Sequence, residues 1–162
     1  MDALDLLKEQ HDEVNTLFKK FEKLEEGSTA ELRELFVMIA DRLSAHATIE
    51  EQFFYPSIKT DKTEDLIREA VEEHLGVKRI IADLLEMEPS DEQFAAKMKV
   101  LMENVEHHVE EEEDEMFKLV RKVLDKDQRF ALGVQMKAEF DELMKGEPRN
   151  EVPMQTDEAA PV

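Results

Sequence analysis

Histidine and glutamate recur together at helical core positions, and this limits what the chain can fold into more than any other feature. His46 and Glu50 stand four residues apart in HATIEEQFFYP. On a helix of 3.6 residues per turn, residues four apart differ by about 40° round the axis, so the imidazole and the carboxylate point the same way. Ile39, Leu43 and Phe53 share that stripe. A carboxylate in a core position demands a partner, because an unpaired buried charge is very costly. Nothing basic lies on the stripe, and a metal ion is the partner that fits.

The arrangement is repeated. His11 precedes His46 by 35 residues and His74 precedes His108 by 34. Glu112 follows His108 by four, as Glu50 follows His46. A shift of 62 or 63 residues therefore superposes one H…HxxxE set on the other. Paired helical hairpins of this kind predict an all-α, up-down-up-down four-helix bundle with the ligands meeting at one level of the core.

The apolar periodicity places the helices. Leu4, Leu7, His11, Val14, Phe18 and Phe21 alternate at spacings of three and four, predicting a first helix from about Asp2 to Glu26, ended by Gly27. A second helix is expected from about Ala30 to Tyr55, after a cap at Ser28 or Thr29, with Pro56 marking its end. A third starts near Thr63, carries Ile67, Ala70, His74, Val77, Ile81 and Leu84, and breaks at Pro89-Ser90. The fourth runs from about Asp91 to Leu124 through Val105, His108, Glu112 and Met116. A shorter fifth helix, about Lys126 to Lys145, carries Phe130, Val134, Phe140 and Met144. Residues 1–125 thus form the bundle, 126–145 a short C-terminal helix, and 146–162 an acidic tail expected to be disordered, with three of the five prolines.

Composition narrows the function. Charged residues make up 38% of the chain and there are only four glycines, which suits helices. A net charge of −20 points away from nucleic acid and from anionic membrane surfaces. With no cysteine, disulfides, iron–sulfur clusters and thiolate zinc sites are excluded. The acidic start MDALDLLKEQ lacks the features of a signal peptide, and a cytoplasmic location is expected.

A single histidine on an apolar face is usually a hydrogen-bonded structural residue. Here four of the five lie on core stripes, one per helix, and two have a Glu one turn on. The metal ligands expected are His11, His46, Glu50, His74, His108 and Glu112. His107 points about 100° away from His108, towards a polar stripe, and reads as a surface residue. Within the run EEEEDE at 110–115, Glu113 rivals Glu112, and Glu115 stands where the second helix has Phe53. Tyr55 lies about 180° from His46 on an ideal helix, which favours packing at the bundle end over a place at the site. Imidazoles and carboxylates without thiolate suit iron, manganese or zinc.

These residues resemble the hemerythrin-like family, whose members carry the HHE cation-binding domain. The resemblance rests on His11, HATIEEQFFYP, His74 and HVEEEEDEMF, and covers about residues 1–125. It implies a hemerythrin-type bundle with a non-haem di-iron centre, Glu50 and Glu112 bridging the irons and the four histidines as terminal ligands. Oxygen-carrying members have a further histidine where this chain has Lys78, and use a carboxylate five residues after the last histidine. One imidazole fewer implies a more open site. The resemblance thus implies a protein that binds or reacts with dioxygen or hydrogen peroxide, with catalase-like peroxide disproportionation as one form. Non-enzymatic binding or sensing of oxygen, nitric oxide or iron is the alternative, and a purely structural acidic bundle a third reading.

Overall fold

The computed structural model describes residues 1–24 and 28–162. Helix α1 spans Ala3–Lys23 and is capped by Asp2, whose carboxylate accepts the Leu4 amide at 2.8 Å. The end expected at Gly27, with Glu26 before it, lies outside the described residues. Helix α2 spans Thr29–Ile49, with Ser28 accepting the Glu31 amide as its cap. It does not stop at Pro56. One π-helical turn, Glu50–Phe54, carries it into α3 (Tyr55–Ile58). Proline lacks the N–H that an α-helix interior requires, and it is accommodated directly after this widened turn.

Helix α4 spans Glu64–Leu85 and leaves helical geometry at Glu86, ahead of Pro89. The Arg33 guanidinium donates to the Met87 carbonyl at 2.9 Å and anchors the connection that follows. Helix α5 (Glu92–Glu111), capped by Asp91, passes through a second π turn, Glu112–Met116, into α6 (Phe117–Val123). Helix α7 spans Lys126–Met144 and begins with a capping box between Asp125 and Gln128.

The long helices form the up-down-up-down bundle, and α7 packs along α1 and α2. Gly133 permits this docking, because a Cβ there would collide with the backbone of Met1 and Ala3. The fifth helix differs from expectation in the face it buries. Leu132, Gly133, Met136 and Phe140 turn inward, while Phe130 and Val134 are 54% and 51% exposed. The helix is apolar on both sides, so periodicity alone could not choose between them.

The tail also differs from the disordered segment expected. Pro148–Gln155 forms a 3₁₀ helix lying on α2 and α4, with Val152 at 0% exposure. The Ser44 hydroxyl donates to the Pro148 carbonyl at 2.9 Å, and Arg149 pairs with Asp41 at 2.9 Å. The buried Pro148 and Val152, the partly buried Ala159, Ala160 and Val162 against the lower core, and a few hydrogen bonds hold the tail, and composition does not show such anchors.

The core has an upper and a lower apolar layer. The lower contains Leu7, Ile49, Phe54, Val71 and Phe117. The upper contains Val14, Ile39, Ile81, Leu101 and Val105. The histidine and glutamate stripes cross between them. No helix among the described residues is long and apolar enough to cross a membrane.

Candidate metal centre

All six residues expected as ligands converge in this middle layer, and all are buried. Glu50 Oε1 lies 2.9 Å from His46 Nε2 and 3.3 Å from His74 Nε2. Glu112 turns Oε1 towards His11 Nε2 at 3.2 Å and Oε2 towards His108 Nε2 at 3.3 Å. His74 and His108 bring their Nε2 atoms to 3.1 Å. The ligand atoms fall into adjoining groups, His11–His46–Glu112 and Glu50–His74–His108, each able to hold one ion.

The fit to a metal rests on atoms that lack hydrogen bonds. Glu50 Oε1, Glu112 Oε1, His11 Nε2 and His46 Nε2 are buried with no hydrogen-bond partner, although several approach one another closely. Orphaned polar atoms in a core are costly. Their convergence on shared points supplies the reason: an ion there would satisfy all of them.

The outer nitrogen of every imidazole is fixed. His11 Nδ1 meets Glu113 at 2.8 Å, His46 Nδ1 the Gln10 amide oxygen at 2.7 Å, His74 Nδ1 Glu51 at 2.8 Å, and His108 Nδ1 Glu73 at 2.9 Å. These oxygens only accept, so each Nδ1 carries a proton, and it is Nε2, once deprotonated, that presents a lone pair inward. Glu113 therefore supports His11 from outside, while Glu112 faces the centre. Glu115 is exposed and away from the site. Lys78 holds Glu51 with both oxygens at 3.0 Å.

Sequence reasoning raised Glu113 only as a rival to Glu112 and missed Gln10, Glu51 and Glu73, yet this outer set too is repeated. The residue before the first histidine of each hairpin (Gln10, Glu73) holds the second histidine of that hairpin. The residue after each inward glutamate (Glu51, Glu113) holds the first histidine of the other hairpin. The pattern is thus [Q/E]H…HxxxEE in both halves.

Tyr55 was expected at the bundle end, and the structure places it in the centre. Its hydroxyl lies 3.0 Å from Glu112 Oε2 and 3.3 Å from both Glu50 Oε2 and His74 Nε2, at 0% exposure. The π turn is the reason: one extra residue per turn rotates everything after it by about 100° relative to an ideal helix. His107 remains at the surface, its side chain 65% exposed, beside Glu73 and Glu111.

The electrostatics follow from the buried carboxylates. Burial pushes the His11 pKa down, but the neighbouring carboxylates of Glu112 and Glu113 outweigh this and raise it to about 9. Burial likewise opposes protonation of His74 and His108; the neighbouring carboxylates win, raising His74 and lifting His108 well above 6.5. Burial opposes the charge on Glu112 too, but the imidazole of His108 beside it holds its pKa well below 4.5. Burial first, and then the charges of Glu112 and Glu50, push the Tyr55 phenol well above 10, so it remains a hydrogen-bond donor.

Against the imidazoles lies a cavity of about 40 Å³. All four buried histidines line it, and its remaining walls are largely aliphatic, among them Val14, Val77, Ile81 and Val152. The space suits a small molecule of a few atoms.

The family model described as the hemerythrin HHE cation binding domain matches residues 2–120. The chain belongs to this family. A crystal structure of a hemerythrin HHE cation binding domain-containing protein from Mycobacterium kansasii, an Rv2633c homolog, superposes with a TM-score of 0.77 at 25% identity. That alignment covers 96% of this chain and 91% of the other. A curated relative, named a DNA nickase, from Nostoc sp. is 28% identical over 138 residues, 85% of this chain. The chain spans 39% of that relative's length. The HHE domain is a cation-binding domain, and its histidine and glutamate clusters here are a metal-binding arrangement.

Proposed function

We propose that this HHE domain holds a di-iron centre on His11, His46, Glu50, His74, His108 and Glu112, and that it reacts there with hydrogen peroxide or dioxygen. The observation that carries the proposal is the position of Glu112. Its oxygens face different imidazole groups, His11 on one side and His108 on the other, which supports a carboxylate shared between two ions. Bound iron would supply Lewis acidity and a change of oxidation state to a small oxygen ligand.

The chain's own residues supply the rest. Gln10, Glu51, Glu73 and Glu113 orient the imidazoles and set their tautomers. Tyr55 holds Glu112 by a hydrogen bond and presents a proton among the carboxylates. The aliphatic cavity keeps bulk water away and leaves room for a small ligand beside the imidazoles. Lys78, where an oxygen carrier has a further histidine, is committed to Glu51, so the position it leaves favours turnover over stable storage. The net charge of −20 supports a function without nucleic acid, and we place the protein in the cytoplasm.

An oxygen electrode tests the reaction. The iron-loaded protein is expected to release oxygen from added hydrogen peroxide well above the rate of free iron. Reversible oxygen binding with no peroxide consumption would replace the enzymatic reading with carriage or sensing.

A further inference from the structure

Helices α2 and α4 carry His46 and His74, yet they touch each other only sparsely. Pro148–Gln155 fills the seam between them and packs on both. Val152 is the residue this segment buries in the upper core, and it forms part of the wall of the cavity that the four imidazoles line. The segment is held by few bonds. Besides the Ser44–Pro148 hydrogen bond and the Arg149–Asp41 pair, Arg79 holds the carbonyls of Thr156 at 3.0 Å and Asp157 at 3.3 Å. A short helix with only two buried residues, Pro148 and Val152, can open locally while a four-helix core stays closed.

We propose that Pro148–Gln155 is the gate through which small molecules reach the imidazoles, and that Val152 sets the largest size admitted. Opening withdraws the buried Val152 and Pro148; no ligand-bearing helix has to move. The inference rests on reading the cavity as the place of a small oxygen ligand. The competing entrance is the groove between α1 and α5, where His11, Val105 and Val109 also line a surface depression.

The test compares wild type, Val152→Ala, Val152→Phe and Asn15→Trp; Asn15 lines the α1–α5 groove and not the cavity. Ferrous-loaded proteins are mixed with nitric oxide and with the bulkier tert-butyl isocyanide, and the binding rates are followed by stopped flow. Val152→Ala should speed isocyanide binding roughly tenfold, a change of about 1.4 kcal/mol in barrier, and nitric oxide far less. Val152→Phe should slow both, and Asn15→Trp should leave both near wild type. Slowing by Asn15→Trp with no response to either Val152 variant would overturn the gate and place the entrance between α1 and α5. If Val152→Phe does not fold, Arg149→Ala takes its place and should speed isocyanide binding.

Xenon NMR on the metal-free proteins separates this inference from the iron reading. Faster xenon exchange in Val152→Ala supports the gate even if no iron binds. Xenon exchange indifferent to Val152 sinks the gate even if iron does bind.

Discussion

At the residue scale, neighbouring histidines on α5 have opposite fates. His108 faces the centre with its Nδ1 held by Glu73, whereas His107 is exposed beside Glu111. His108→Ala should therefore lose most of the bound metal and His107→Ala should keep it, as measured by metal content after dialysis. The reverse ranking would mean that α5 is rotated by one residue. The inward histidines and glutamates were legible in the sequence because each sits on an apolar stripe, where a polar residue demands an explanation. Tyr55 was not, because its position depends on a π turn, and extrapolation at 100° per residue carries the phenol to the wrong side. Gln10, Glu51, Glu73 and the outer role of Glu113 were hidden for another reason. In a chain with 41 acidic residues, one more Glu carries little signal until its pairing across helices is seen.

At the scale of elements, the stripes of α1, α2, α4 and α5 read cleanly, since each has one apolar face and a polar back. Helix α7 did not, because Phe130 and Val134 offer a second apolar face that the fold leaves outside. The C-terminal segment was the largest departure. Its anchors are backbone carbonyls taken by Ser44 and Arg79 and one ion pair with Asp41, none of which has a periodic signature. Deleting residues 146–162 removes the buried Pro148 and Val152 and the partly buried Ala159, Ala160 and Val162 along with these anchors. Burial of the valine alone contributes about 2 kcal/mol, so the truncated protein should melt at least roughly 5 °C lower. Calorimetry checks this, and an unchanged melting temperature would show that the docked segment adds nothing to stability.

At the scale of the whole molecule, the bundle holds buried carboxylates that need positive charge, and protons compete with metal for that role. In the metal-free protein His11 titrates at about 9, and His74 and His108 are also raised. A raised histidine pKa contributes stability that is complete below the unfolded value near 6.5 and is lost as pH rises through the folded value. The metal-free protein should therefore melt at a lower temperature at pH 10 than at pH 6. The metal-loaded protein should not follow, because binding requires the imidazoles to be deprotonated. At pH 7 loading should release protons, His11 foremost among their sources, as read by titration calorimetry in buffers of different ionisation enthalpy. Uptake of metal without proton release would contradict this charge balance. The central claim concerns what the converging imidazoles and carboxylates hold. Elemental analysis of the purified protein, taken with its optical spectrum, tests that claim most directly. About two irons per chain with an oxo-bridged di-iron band are predicted; one zinc per chain that iron cannot replace would contradict it.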